Sequence, residues 1–330
     1  MMPLSLQPIQ LKYIARYLDT DHLGLAQSFA RRAPMRTYFK MVLVFFVCVS
    51  VHVFANQVVL VTGASRGIGY AIAELLAHEK YTVYAGVREN SSLKLVTLAQ
   101  NQNPDYFHVI PLDITDQQSV DEAVKTIYEK EGRIDILVNN AGVLIMGSVE
   151  NVTIEEAQKV FDVNFFGMMR MTQAVLPLMR AQQKGHIIQI SSRSGFRPLP
   201  SIGIYAASKF AMEGLSETIA ALLKPTIKVS LIEPGPVNTD LDILAPYGSR
   251  LSRDQDPYYS VFETAGLLDP YSPLMQQPVE IALIVKEAIE SENPHFRYQT
   301  TELIKRQAAR RFVDVTGTSH INEWDAVLNR

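Results

Sequence analysis

The sequence predicts an α/β protein built on a doubly wound parallel sheet. Short apolar runs of strand length alternate with amphipathic helical stretches from residue 57 to residue 299. The runs lack the polar alternation of a half-exposed strand, as expected where both faces of a sheet are covered. A glycine-rich turn joins the first run to the first helix. Such a protein binds its ligand at the carboxyl ends of the strands.

The elements follow from apolar periodicity and from capping patterns. Strands are predicted at residues 57–62, 82–87, 106–112, 134–139, 186–191, 227–233 and 295–299. Helices are predicted from the glycine turn through His78, from the capping box Thr115-x-x-Gln118, from the capping box Thr153-x-x-Glu156 toward Pro177, and over 206–223 and 278–291. Residues 240–277 hold four prolines and no clean period, which predicts a lid or substrate loop.

Residues 1–55 form an N-terminal extension that differs from the rest of the chain. They carry six of the 31 basic residues and two of the 34 acidic ones, and an apolar run of 15 residues fills 41–55. A basic stretch before such a run is typical of a signal peptide or an uncleaved membrane anchor, although a bilayer span usually needs ~20 residues. The alternatives are a true start at Met35 and a buried element of a soluble protein. We expect a membrane-associated or exported protein, with a cytoplasmic one as the alternative, and a catalytic domain over 56–330.

Composition excludes several classes of function. The net charge is −3 and no basic stripe crosses the main body, so we expect no nucleic-acid partner. Seven histidines are scattered and the chain has one cysteine, which argues against a zinc site of a common type, and we expect no metal. Because Cys48 lies in the 41–55 run, the main body has neither a disulfide nor a thiol nucleophile.

The glycine-rich turn reads TGASRGIG at 62–69. Backbone N–H groups and the positive end of a helix meet here, which makes a site for a pyrophosphate. Arg88 ends the second predicted strand, 19 residues after Gly69. At this distance an acid selects NAD, whereas an arginine suits the 2′-phosphate of NADP, and Arg66 adds a second charge. We expect NADP(H) as the preferred cofactor and NAD(H) as the alternative; two solvated surface arginines are the competing interpretation.

Tyr205 and Lys209 lie four residues apart in a predicted helix, so their side chains share a face. A free tyrosine, with a pKa near ~10, exchanges its proton poorly at neutral pH. A neighbouring ammonium favours the phenolate. The pair is therefore a candidate for proton transfer, although tyrosine–lysine pairs are also common on helices without such a role.

Together the motifs resemble the short-chain dehydrogenase/reductase superfamily. They are TGASRGIG at 62–69, LDIT at 112–115, NNAG at 139–142, DVNFFG at 162–167, ISS at 190–192, YAASK at 205–209 and PGPV at 234–237. The resemblance extends over about residues 57–320. It is closest to the 17β-hydroxysteroid and photoreceptor-type retinol dehydrogenases, through SLIEPGPVNT at 230–239 and ASKFAMEGLSE at 207–217. Extended epimerases place their glycines differently, as TGxxGxxG.

This resemblance implies a Rossmann-type catalytic domain with a catalytic tetrad. Tyr205 is then the general acid/base, and Lys209 both tunes it and binds the cofactor ribose. Ser192, 13 residues before the tyrosine, holds the substrate oxygen, and Ser191 and Ser194 are its competitors. Asn164, in the middle of a predicted helix, takes part in a water relay through its backbone.

Cofactor contacts are implied along the same strand ends. The turn contributes Gly63, Ser65, Arg66, Gly67, Ile68 and Gly69. Asp113 accepts from the adenine amine, with Ile114 on the ring. Asn140, Ala141 and Gly142 line the adenine–ribose side. Val237 and Thr239, after Pro234 and Gly235, meet the nicotinamide amide.

We therefore predict an NADP(H)-dependent oxidoreductase that interconverts a carbonyl and a secondary or primary alcohol. The loop 240–277 is rich in apolar residues, and with Leu144, Met146, Leu199 and Ile202 it predicts an apolar pocket for a steroid-, retinoid- or lipid-like substrate. Packing of the loop against the body or a partner subunit is the alternative. Competing functions are a ketoreductase for carrier-bound thioesters and a catalytically silent NADP-binding sensor or scaffold. The resemblance also implies a homodimer formed through the helices that carry Asn164 and Tyr205, and residues 41–55 suggest membrane association.

Overall fold

The fold is a parallel sheet with helices on both faces, as predicted. The computed structural model describes residues 56–88, 93–223, 225–239, 241, 246–252, 256–264 and 275–313. Within them lie seven strands: β1 (Val58–Thr62), β2 (Thr82–Val87), β3 (Phe107–Pro111), β4 (Ile136–Asn139), β5 (Gly185–Ile190), β6 (Ile227–Glu233) and β7 (Arg297–Gln299). The N-terminal extension, with its 41–55 run, lies outside the described residues.

All neighbouring strands pair in parallel, in the order β3-β2-β1-β4-β5-β6-β7. The chain moves outward from β1 to β3 and then crosses back to place β4 on the other side of β1. This reversal opens a crevice at the carboxyl ends of β1 and β4, which is where a sheet of this type binds its ligand.

The described helices are α1 (Gly67–His78), α2 (Lys94–Gln102), α3 (Gln117–Glu131), α4 (Ile154–Phe161), α5 (Met168–Ala181), α6 (Gly203–Leu223), α7 (Tyr259–Thr264), α8 (Pro278–Glu290) and α9 (Glu302–Val313). A π-helical turn (Asp162–Gly167) joins α4 to α5, and a 3-10 turn (Arg193–Gly195) follows β5. The sequence patterns did not predict α2, α7 or α9.

Two hydrophobic cores lie on opposite faces of the sheet. Val59 and Val61 of β1 face α1, α2 and α8, whereas Val58 and Leu60 face α3, α5 and α6. All four side chains are at most 2% exposed. A strand buried on both faces needs apolar side chains at every position, which explains the unbroken apolar runs of the sequence.

The start of α3 differs from the prediction. Asp116 is the N-cap, and its carboxylate accepts from the backbone N–H of Gln118. The Thr115 hydroxyl donates instead to Asp113, at 2.7 Å. The prediction of a Thr115–Gln118 capping box was therefore wrong. Asp116 is the N-cap because its carboxylate binds a backbone N–H of the first helical turn.

The second capping box is confirmed, but the helix that follows is interrupted. Thr153 Oγ1 accepts from the N–H of Glu156, and the Glu156 carboxylate accepts from the N–H of Thr153. The π-helical turn then breaks the α-helical pattern at Asn164. Beyond it α5 runs through Pro177 to Ala181, because its buried face packs on the sheet and holds the segment helical past the proline.

Part of the loop 240–277 is bound to the body. The Met146 N–H donates to Pro246 O at 2.9 Å, and the Gly248 N–H donates to Met146 O at 2.7 Å. Near its other end, the Gln276 N–H donates to Pro236 O at 3.0 Å. The prediction of an irregular loop therefore holds only in part, since the loop contains α7 and backbone hydrogen bonds attach it to the body near both of its ends. In the described segments, no helix combines the length and hydrophobicity that a membrane span requires.

Candidate active site

The glycine turn after β1 is locked to the end of β4. Gly63 and Gly67 have φ angles of +65° and +58°, a region that glycine adopts without strain. A Cβ on Gly63 would lie 2.8 Å from Ala141 Cα. Thr62 Oγ1 accepts from the N–H groups of Asn140 and Ala141, both at 3.0 Å. The first strand–helix junction and the NNAG motif thus form one rigid unit.

Asn140 completes this unit through its side chain. Its amide Nδ2 donates to Thr62 O at 2.9 Å and to Gly63 O at 3.1 Å. A Cβ on Gly69 would overlap the same amide, so glycine is required there for close packing. The amide of Asn140 thus holds the phosphate turn in shape, and its place on the adenine–ribose side stays a prediction. Ser65 is partly exposed beside the turn, while Ile68 packs on the core.

The two arginines predicted to read the cofactor phosphate are both exposed. Arg66 is the N-cap of α1 and has an extended backbone. Arg88 directly follows β2 and lies near Asp113. Burial raises the pKa of Asp113. The hydrogen bonds from Thr115 and the charges of Arg88 and Arg170 lower it by more, so the pKa is below its usual value. An ionised Asp113 is able to accept from an adenine amine.

Ile114 is placed differently from its neighbour Asp113. Its side chain is 7% exposed and belongs to the core under α3 and α5. A Cβ on Gly167 would lie 2.5 Å from Ile114 Cδ1, and Arg170 donates to Ile114 O at 3.2 Å. The contact of Ile114 with an adenine ring, which the resemblance implies, stays a prediction.

Asn164 is fully buried in the π-helical turn. Its Oδ1 accepts from the Val143 N–H at 2.8 Å, while its Nδ2 donates to Val143 O and to Ser208 Oγ, both at 2.9 Å. Both amide hydrogens are therefore used, and the side chain of Asn164 joins the segment after β4 to α6. The sequence signal was an asparagine in the middle of a predicted helix. In the structure this asparagine lies in a π-helical turn.

Tyr205 and Lys209 lie on one face of α6, near the carboxyl end of β5. Tyr205 is 7% and Lys209 3% exposed, and Lys209 Nζ is 5.7 Å from the Tyr205 ring centre. The ammonium donates to Ile190 O at 2.8 Å. Burial lowers the pKa of Lys209 to about 8, against the opposing charge of Glu213. A Cβ on Gly142 would lie 3.8 Å from the same Nζ.

Ser192 follows β5, two residues after the carbonyl that binds Lys209. Its backbone is extended and its Oγ accepts from the Ser194 N–H at 3.0 Å. Its competitors are placed differently. Ser191 is buried and donates to Glu213, and Ser194 is 3% exposed.

The segment after β6 closes the site near the glycine turn. Thr239 Cγ2 would lie 3.3 Å from a Cβ on Gly67, so this threonine contacts the phosphate turn. Val237 is 2% exposed and packs in the core, which leaves its backbone to meet a cofactor. Pro234 is buried, and Gly235 packs beside Ile304 of α9.

An apolar cluster surrounds Tyr205. Leu144, Met146 and Ile202 are at most 8% exposed and pack with its ring. Leu199 and Leu241 are partly buried and pack against this cluster. The four residues predicted to line a pocket thus lie together around the tyrosine, and Leu241 of the loop 240–277 joins them.

Sequence reasoning missed two contributors to the site. Ser208 links Asn164 to the main-chain carbonyl of Tyr205, which its hydroxyl reaches at 2.7 Å. Thr62 joins β1 to β4. Each is a small hydroxyl residue inside a motif that was quoted, and membership of that motif was the available signal. Among the described residues, no group of three or more His, Cys, Asp and Glu forms a metal site.

Comparison with known proteins shows the family of this chain. Residues 57–245 match the family model of short chain dehydrogenases. The chain is 34% identical to bovine (Bos taurus) retinol dehydrogenase 8, with 83% of this chain and 93% of that protein covered. It is also 34% identical to a 3-ketodihydrosphingosine reductase of Bacteroides thetaiotaomicron (76% and 89% covered) and to human 17-beta-hydroxysteroid dehydrogenase type 1 (81% and 84%).

Solved structures show the same fold. A short-chain dehydrogenase from Streptomyces avermitilis superposes with a TM-score of 0.70 at 31% identity, covering 83% of this chain and 98% of that one. An alcohol dehydrogenase from Thermococcus sibiricus, complexed with 5-hydroxy-NADP, superposes with a TM-score of 0.60 at 25% identity, covering 74% and 96%. The chain therefore belongs to the short-chain dehydrogenase/reductase family, near the retinol and 17β-hydroxysteroid dehydrogenases.

Proposed function

We propose that the protein is an NADP(H)-dependent oxidoreductase that interconverts a carbonyl and an alcohol on a hydrophobic substrate. The observation that carries the proposal is the position of Tyr205. It lies on one helix face with Lys209, its helix packs against the turn that follows Ser192, and it belongs to an apolar cluster. Proton-transfer groups and an apolar lining therefore occur at one point.

The residues of this chain have separate roles in the proposed reaction. The Tyr205 hydroxyl gives its proton to the carbonyl oxygen during reduction and takes it back during oxidation. The Lys209 ammonium stabilises the phenolate that remains, and the Ser192 hydroxyl donates to the same substrate oxygen. The Asn164 carbonyl holds the water that returns a proton toward Lys209. The bound nicotinamide cofactor supplies or accepts the hydride.

Two arginines near the glycine turn support a dinucleotide that carries a 2′-phosphate as the cofactor. The positive-φ glycines bring backbone close to a ligand at the start of α1, where the helix dipole favours an anion. Arg66 and Arg88 are exposed at the neighbouring strand ends, and the charge of Arg88 reaches Asp113. Two guanidinium groups favour the phosphate of NADP over the free ribose hydroxyls of NAD.

The apolar cluster around Tyr205 favours a substrate with a large hydrophobic body. Leu144, Met146 and Ile202 offer it dispersion contacts and no polar partner, so orientation rests on the few polar groups of the tetrad. Retinol, a ketodihydrosphingosine and a 17β-hydroxysteroid, the compounds in the names of the three relatives, are hydrophobic molecules with one reacting oxygen. This supports a steroid-, retinoid- or lipid-like substrate.

A homodimer and membrane association complete the proposal. Phe166 in the π turn is 47% exposed, and Phe210 and Leu222 on α6 are 37% and 78% exposed. These exposed apolar side chains lie on the segments that the resemblance assigns to the interface, and they support pairing with a second copy there. Residues 41–55, which lie outside the described segments, are proposed to attach the protein to a membrane or to export it.

The experiment is a substrate panel with the purified full-length chain. Carbonyl compounds of matched reactivity and increasing hydrophobicity are supplied with NADPH, and cofactor consumption is followed. We expect turnover that increases with the size of the apolar body and disappears in Tyr205→Phe. Tight NADPH binding without turnover of any carbonyl would instead favour a silent sensor.

A further inference from the structure

A buried ionic network lies directly behind the candidate active site. Glu213 of α6 is 4% exposed and Glu233 of β6 is fully buried. Arg297 of β7 lies between them, with Nη1 2.7 Å from Glu213 Oε2 and 2.5 Å from Glu233 Oε1. Gln299 donates to the other oxygen of Glu233. Burying two carboxylates with one guanidinium is costly, so the network calls for an explanation beyond stability.

Glu213 supports the loop that carries Ser192. The Ser191 hydroxyl, one residue before it, donates to Glu213 Oε1 at 2.6 Å. A Cβ on Gly195 would overlap this oxygen and lie 2.7 Å from Ser191 Oγ, so the turn after Ser192 packs directly on the carboxylate. Glycine at 195 allows this close approach, and the bond fixes the start of the loop.

Glu213 also lies one helical turn after Lys209 on α6. Residues 205, 209 and 213 follow at intervals of four, so the three side chains lie along one side of α6. Two effects act on the pKa of the Lys209 ammonium: burial lowers it, and the charge of Glu213 raises it. The groups that face Glu213 itself are Arg297 and Glu233, with Glu217 beyond them at the surface.

We propose that Glu213 is a positioning residue that acts on Ser192, through Ser191, and on Lys209, one helical turn away along the same side of α6. Arg297 of β7 holds the Glu213 carboxylate in place through the oxygen that Ser191 does not bind. The inference rests on the proposed function, because it assumes that Ser192 and Lys209 act in the reaction. Glu213 itself acts only through these two residues and touches neither substrate nor cofactor.

The test compares Glu213→Gln with the matched control Glu217→Gln. Both residues are on α6, and each substitution removes a carboxylate near Arg297. The side chain of Glu217, however, is 72% exposed, and its Oε2 lies 3.7 Å from Arg297 Nη2. The Lys209 titration is followed in the ligand-free full chain by NMR of labelled lysine side chains, assigned with Lys209→Met. In Glu213→Gln we expect the titration midpoint to fall by about one pH unit, the effect of losing a nearby opposite charge. Glu217→Gln should leave it unchanged.

Ser191→Ala separates the two effects and leaves every charge in place. We expect kcat to fall about tenfold with little change in KM, and the Lys209 midpoint to stay where it is. An unmoved midpoint in Glu213→Gln, or a wild-type kcat in Ser191→Ala, would overturn the proposal. A lower melting temperature with neither change would show a purely structural network and would overturn it as well. The NMR measurement needs neither cofactor nor substrate, so its result is independent of whether the proposed function itself fails.

Discussion

Replacement of Tyr205 by phenylalanine tests the central assignment. The change removes one hydroxyl and keeps the ring, which is 7% exposed and packs with Leu144, Met146 and Ile202. Since these contacts are to the ring, we expect the free energy of unfolding to change by about 1 kcal/mol or less. Cofactor binding should also be kept, within about threefold in Kd, which is under 1 kcal/mol.

The expected effect on rate is much larger. A positioned general acid contributes ~10²–10⁴-fold to a reaction, which corresponds to about 3 to 5 kcal/mol of activation free energy. We therefore expect kcat to fall at least ~100-fold. The assay is NADPH consumption with the best carbonyl of the panel, together with a fluorescence titration of NADPH and a thermal melt of the same preparation.

Tyr84→Phe is the matched control. Tyr84 is 4% exposed on β2, and its hydroxyl donates to Glu131, the last residue of α3, at 2.6 Å. This control should lose some stability and keep its rate. Retention of more than about a tenth of kcat by Tyr205→Phe, with normal folding, would refute the role of this tyrosine.

Four further predictions follow from the site. Lys209→Ala should lower NADPH affinity as well as kcat, because its ammonium is proposed to bind the ribose and to stabilise the tyrosine phenolate; a normal Kd would contradict this. Arg88→Asp should shift the preference from NADPH toward NADH at least ~tenfold, since a charge-assisted hydrogen bond contributes about 1.5–3 kcal/mol, and a wild-type enzyme that already prefers NADH would show that the arginines were misread. The value of kcat/KM should increase with substrate hydrophobicity, and equal efficiency toward a small polar ketone and a retinoid-sized carbonyl would argue against the apolar pocket. Sedimentation of the full-length chain should show a dimer, and monomer alone at micromolar concentration would contradict the proposed interface.

Much of the fold was predictable because parallel sheets leave a strong mark on the sequence. A strand buried on both faces must be apolar throughout, and β1, with its run of five buried residues, could be recognised for that reason. The helix start at Thr153 was also predictable, because the residues of a capping box lie within four positions of one another. The start of α3 was misassigned because two adjacent residues, Thr115 and Asp116, both had the chemistry of a cap.

The elements that sequence reasoning missed depend on distant contacts. The described part of α9 has Ile304 and Ala308 buried against Phe196, and nothing near residue 304 in the chain indicates that partner. Loop 240–277 lacks a period of its own, and its attachment to Met146 is a backbone contact between segments about a hundred residues apart. Side-chain patterns carry no information about such backbone pairing.

What the sequence by itself determined is the alternation of strands and helices, the glycine turn and the spacing of Tyr205 and Lys209, because each rests on neighbours within a few residues. Only the tertiary structure decided how those parts work together. It turned the Asn140 amide toward the phosphate turn and directed the Ile114 side chain into the core. It also brought Glu213 under Ser191, because α6 packs against the turn that follows β5. It placed Arg297 between Glu213 and Glu233, because β7 pairs with β6 at the edge of the sheet.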